Sequence, residues 1–182
     1  MLTTNLPMFR WRLGACAAAA LGLLATAALA DDSKHRDRIE ARLKGFAEVP
    51  AVSSAASGRF KARIDSASQT LSYELTYSGL EDTVRMAHIH FGQHGVNGGI
   101  MVWLCQTAAF PSPVASTPQC PQSGTVSGVV SAADVVGPAG QGIAAAEFAE
   151  MARAIGAGVA YANVHSNKFP GGEIRGQLRD DD

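Results

Sequence analysis

The chain has 182 residues, of which 47% are apolar and 17% charged, with a formal charge of −1. That balance suits one globular domain with a sizeable core and excludes a low-complexity or strongly charged chain. No long run of like charge is present, so nothing points to nucleic acid as a partner.

The first thirty residues read as a sorting address. Arg10 and Arg12 precede an apolar run from Leu13 to Leu29, and Ala28-Leu29-Ala30 has the small-x-small form of a cleavage site. The run falls short of the ~20 apolar residues that a spanning helix needs. Residues 1–30 are therefore expected to be a cleavable signal peptide, and the domain to be exported, periplasmic or secreted, with no membrane span once the leader is gone. Leu13-Gly14-Ala15-Cys16 mimics a lipoprotein box, but it opens the apolar run instead of closing it. Losing Arg10 and Arg12 leaves 13 basic against 16 acidic residues, a formal charge of −3. Losing Cys16 leaves Cys105 and Cys120. In an exported chain such a pair reads as a disulfide in preference to two free thiols. It would close a loop holding Pro111, Pro113 and Pro118, with Pro121 directly after it. Closing a loop of about 15 residues is worth ~3 kcal/mol in the chain-entropy model.

Residues 31–38 are charged and poor in apolar side chains, and are expected to form a disordered lead-in to a domain spanning residues 39–179. From there the pattern has period two. Ile39, Ala41, Leu43 and Gly45 alternate with charged residues. So do Phe60, Ala62 and Ile64, and Leu71, Tyr73, Leu75 and Tyr77 alternate with polar ones. Such alternation gives one buried and one wet face, as in antiparallel sheets. Asp65 to Gln69 reads as a hairpin loop between two of these runs. Further strands are expected at 84–91, 99–106, 125–130, 159–165 and 173–178, with a glycine-rich turn at 92–98. Another turn at 167–172 uses Gly171-Gly172 for positive backbone torsion. Residues 143–155 place Phe148, Met151, Ala152 and Ile155 at helical spacing and read as one amphipathic helix ended by Gly156 or Gly158. The expected fold is mostly β: an antiparallel β-sandwich or barrel-like sheet of about eight strands with one helix.

His88 and His90 lie two apart on a predicted strand, so their side chains share a face with Cα atoms ~6.5–7 Å apart. Two neutral imidazoles at that spacing can hold one metal ion such as copper or zinc. His165, near the end of another strand, is the best third ligand. His94 could close the site from the glycine-rich turn, and His35 lies in the lead-in. The competing reading is that each histidine packs and donates to a backbone carbonyl. The shared face of His88 and His90 suits a polar outer or rim surface, with Ile89 in the core. Glu173 and Arg175 share a face of the last strand and read as surface charges paired with each other or across the sheet. Trp103, Tyr73 and Phe60 read as core or cross-strand packing. The glycines at 92–99 precede a strand, so no helix N-terminus is offered to an anion. No nucleophile elbow or local carboxylate pair is present, and no catalytic residue is assigned.

Two segments carry a family resemblance. The first is Ala87-His88-Ile89-His90-Phe91-Gly92 with Gly95, Asn97 and Gly98 after it. The second is Asn163-Val164-His165 with Gly171-Gly172-Glu173-Ile174-Arg175-Gly176. With Ala41-Arg42-Leu43-Lys44-Gly45 and Glu48-Val49-Pro50, this order resembles the CHRD domain, named after chordin. The resemblance implies the β-domain and an architectural role for Gly92, Gly95, Asn97, Gly98, Asn163, Gly171, Gly172, Glu173 and Arg175. Chordin-like proteins carry the domain in repeats and bind growth factors outside the cell. One copy and no cysteine-rich module are seen here, so growth-factor antagonism is not expected. The histidine pair, glycine-rich turn and late Val164-His165 are also similar to copper-zinc superoxide dismutase. His88, His90, His94 and His165 are too few for that enzyme's two-metal site. The resulting expectation is an exported, non-enzymatic binding or structural module acting on a protein or other extracellular ligand. The alternative is a periplasmic copper- or zinc-binding protein using the histidine cluster.

Overall fold

The computed structural model describes Met1 and residues 38–180. All but Met1 of the expected signal peptide, Cys16 included, and all but the last residue of the expected lead-in, His35 included, lie outside the described residues.

Nine strands form one sheet: β1 (Arg38–Lys44), β2 (Ser57–Asp65), β3 (Thr70–Ser78), β4 (Val84–Phe91), β5 (Gly99–Cys105), β6 (Gly124–Ser131), β7 (Ala160–Ser166), β8 (Ile174–Gln177) and the two-residue β9 (Arg179–Asp180). Eight of them run in the order β5-β4-β7-β8-β1-β2-β3-β6, and β9 pairs with β1. Every ladder is antiparallel. The sheet curls until its two ends approach, giving a nearly closed barrel. The Tyr73 hydroxyl on β3, the neighbour of end strand β6, donates to the Leu104 carbonyl on the other end strand, β5.

The period-two runs do what their pattern implies. Ile39, Leu43, Phe60, Leu71 and Leu75 are buried in the barrel core, and the alternate residues of β2 and β3 are mostly exposed. Phe60 stacks on Tyr73 with centroids 6.3 Å apart. At the hairpin after β2, Asp65 Oδ1 accepts from the Ala67 and Ser68 amides. Strand β7 breaks the rule, because all seven of its residues are buried. Loops cover its outer face, so this strand has no wet side.

The one α-helix among the described residues, α1, spans Phe148–Gly156, five residues shorter at its start than the alanine-rich pattern predicts. Ala146 takes a left-handed φ of +67°, and its amide donates to Val135 O instead of continuing a helix. The helix buries Phe148, Met151, Ala154 and Ile155. Gly158, at φ +69°, turns the chain out of it. No helix among the described residues is long and apolar enough to cross a membrane.

Cys105 and Cys120 are bonded, with Cα atoms 5.0 Å apart and a sequence separation of 15. The bond links the end of β5 to the loop that leads into β6. The Cys105→Ala/Cys120→Ala variant should lose ~3 kcal/mol of unfolding free energy in urea, the loop-closure value. A variant as stable as the parent would mean that the loop's own hydrogen bonds hold it.

Candidate metal centre

The register decides which face carries the histidines. Lys44, which is exposed, pairs with Arg175. Arg175 pairs with Asn163, Asn163 with His88, and His88 with Trp103. This cross-strand row therefore runs along the outside of the barrel, while Ile89, Val164 and Ile174 point into the core. Parity leaves the face open, and the outer placement agrees with the polar outer or rim surface that the pair suits. The side chains are nevertheless enclosed: His88 is 0% exposed, His90 8% and His165 5%.

Three loops make the cover. The glycine-rich turn at 92–98 brings the Gly98 carbonyl 2.9 Å from His90 Nδ1. The turn after β7 brings the Pro170 carbonyl 3.0 Å from His165 Nδ1. The loop after β1 is tied to the glycine-rich turn by Asn97 Nδ2, which donates to Val49 O. Close approach requires glycine at two points. A Cβ on Gly98 would sit 1.7 Å from Phe91 O, and one on Gly172 would sit 2.5 Å from Glu48 Oε1.

A carbonyl oxygen only accepts, so the protons of His90 and His165 lie on Nδ1 and each ring turns a bare Nε2 inward. His88 Nδ1 lies 3.2 Å from His165 Nε2. One ligand atom from each of His88, His90 and His165 falls within 4.8 Å of the others. The Nε2 atoms of His88 and His90 are buried with no hydrogen-bond partner. Burial drives all three imidazoles toward the neutral form that binds metal. His88 is pushed down to about 2, with the charges of His165 and His90 adding to burial, and His90 and His165 to about 4. Backbone carbonyls at the far ring nitrogens are the partners that orient metal-ligating histidines.

Aromatic rings brace the cluster. Trp103 meets His88 edge-on at 4.2 Å between centroids, and Tyr161 stacks on His90 at 4.8 Å. The Arg175 guanidinium lies 3.3 Å from the centre of the Tyr161 ring. Its nitrogens donate to Val96 O, Gln93 O and Asn97 Oδ1, so it pins the glycine-rich turn over His90. Arg175 and Glu173 are thus not paired surface charges. Both are buried, and Glu173 Oε1 accepts from Ser54 Oγ and the Glu81 amide. They separate because the outer face of β8 is roofed, which strand parity alone does not reveal. Glu48 is buried too, with Oε1 unpartnered, and burial raises its carboxyl to about 7 against the pull of Arg175.

His94 is exposed on its turn and stands outside the three-histidine group. Glu48, Tyr161 and Trp103 join the surroundings of the site without having been singled out for it. Tyr161, Asn163 and His165 alternate on one face of β7, so parity could have found Tyr161. Glu48 had no local signal.

A nearly closed antiparallel barrel with an enclosed histidine cluster on its outer face defines a β-domain built around a roofed sheet surface. The CHRD domain model matches residues 39–178, and the chain belongs to the CHRD domain family. No curated protein and no solved structure matches the chain.

Proposed function

We propose that this CHRD domain is a non-enzymatic binding module that holds one copper or zinc ion through His88, His90 and His165. The observation that carries the reading is the convergence of three buried imidazoles, with Nε2 of His88 and of His90 left unpartnered. Leaving buried acceptors unpaired costs about 1–3 kcal/mol each, and a cation would remove that cost. The surrounding rings and loops close the cluster from solvent, which suits a held ion better than a turnover site. The reading takes the domain as exported, on the strength of the leader, and the Cys105–Cys120 bridge suits an oxidising compartment.

The test is a titration of the tag-free protein, residues 31–182, with Cu(II) and Zn(II), beside the His88→Ala/His90→Ala variant. One-to-one binding by the parent and its loss in the variant is the expected result. No binding by the parent, or equal binding by both, would return the histidines to packing. A partner-binding domain would then be the better account.

A further inference from the structure

Asn163 stands at the centre of the histidine cluster. It faces His88 across the β4–β7 ladder and precedes His165 by two residues on the same face. Its side chain is 2% exposed. Its Oδ1 lies 3.1 Å from His165 Nε2. This contact joins two acceptors. The Pro170 carbonyl holds the His165 proton on Nδ1, so Nε2 carries none, with His88 Nδ1 3.2 Å away, and an amide oxygen has no proton to give. Flipping the amide would exchange Oδ1 for Nδ2 at this contact. Asn163 Nδ2 and Glu48 Oε1 both lie within 3 Å of the point where a Cβ on Gly172 would sit. The amide is placed with Nδ2 on the Gly172 side, where Glu48 Oε1 is buried and unpartnered, and with Oδ1 toward His165. Two lone pairs aimed at one another beside two further bare ring nitrogens are reconciled by a cation among them.

We propose that Asn163 Oδ1 is the fourth donor to the ion held by His88, His90 and His165, making a set of three nitrogens and one oxygen. This rests on the metal-binding reading above. Three imidazoles and an amide oxygen select a divalent late first-row ion over Cu(I), which favours softer ligands. Four protein donors also leave no open position for a reacting water.

The experiment uses Co(II) and Zn(II) with the parent, Asn163→Asp and Asn163→Leu. Co(II) reports its ligands directly through its visible d–d bands. The expected result is one Co(II) bound by the parent, with bands that shift in Asn163→Asp, where a carboxylate oxygen replaces the amide oxygen at equal size. Asn163→Leu should bind Zn(II) more weakly by about tenfold to a hundredfold or more. Unchanged bands in Asn163→Asp would overturn the fourth donor while leaving the three-histidine site intact, and would do so even if Asn163→Leu failed to fold. A parent that binds neither ion would instead overturn the metal-binding reading itself, and this inference with it.

Discussion

Replacing Arg175 by methionine should lower the unfolding free energy of the metal-free protein by about 2–4 kcal/mol. Arg175 is 2% exposed and no carboxylate is bonded to its guanidinium. Its charge is met by two carbonyls, the Asn97 amide oxygen and the face of Tyr161. Loss of the ring contact is worth about 1–2 kcal/mol at a desolvated site. The three acceptors add to this, each at about 1–3 kcal/mol if left dry. Two effects hold the total down. Gln93, Val96 and Asn97 are exposed residues, so water can reach part of what Arg175 leaves. The variant also no longer carries the cost of burying a cation. Arg175→Lys keeps the charge but not the fork, and should fall between the two. Urea unfolding of the three proteins decides the matter. A loss below about 0.5 kcal/mol for Arg175→Met, the range of an ordinary surface change, would show that the turn is held without it. Asn97 on Val49 O and Gln177 on Gly92 O would then be the sufficient ties.

Acid should unfold the metal-free protein well before its ordinary carboxylates titrate. The three site histidines have folded values of about 2, 4 and 4 against an ordinary 6.5. Between about pH 6.5 and 4 the unfolded chain therefore binds protons there that the folded chain refuses, and stability falls as pH falls. Each such proton is worth ~1.4 kcal/mol per pH unit. Glu48 acts in the opposite direction. Its folded value of about 7 lies above the ordinary 4.5, so between these limits the folded chain binds the extra proton and gains stability as pH falls. Three protons lost against one gained leave a net fall on the order of 3 kcal/mol per pH unit between about 6.5 and 4.5. Over two units that matches the whole stability of a marginal domain, roughly 5 kcal/mol. Urea midpoints at pH 7, 6 and 5 should drop steeply in the parent and much less in His88→Ala/His90→Ala. Glu48→Gln should steepen the parent's slope by one proton. A midpoint level from pH 7 to 5 would contradict the burial of neutral histidines.

Much of this was legible along the chain. Alternation at Ile39 to Leu43, Phe60 to Ile64 and Leu71 to Tyr77 locates three strands and their buried faces, because strand side chains alternate by a fixed geometry. Glycines at 92, 95 and 98 mark the turn after the histidine strand. The helix boundary was not legible. Alanine favours helix at 144–146, but the Ala146 amide is drawn to Val135 O by a contact between residues distant in sequence. The opposite-side placement of Ile89 and His90 follows from parity, and the roof over His90 does not.

The sequence by itself determined the strand rhythm and the histidine pair, which rest on local spacing, and the family, which rests on the order of its motifs. Only the tertiary structure decided that the outer face of β7 is dry. It also decided that Glu48 and Asn163 both close on Gly172, and that Arg175 bonds the glycine-rich turn instead of Glu173. Those outcomes depend on which loops fold back over the sheet. The packing of segments far apart in the chain sets that arrangement, and no periodicity within a strand encodes it.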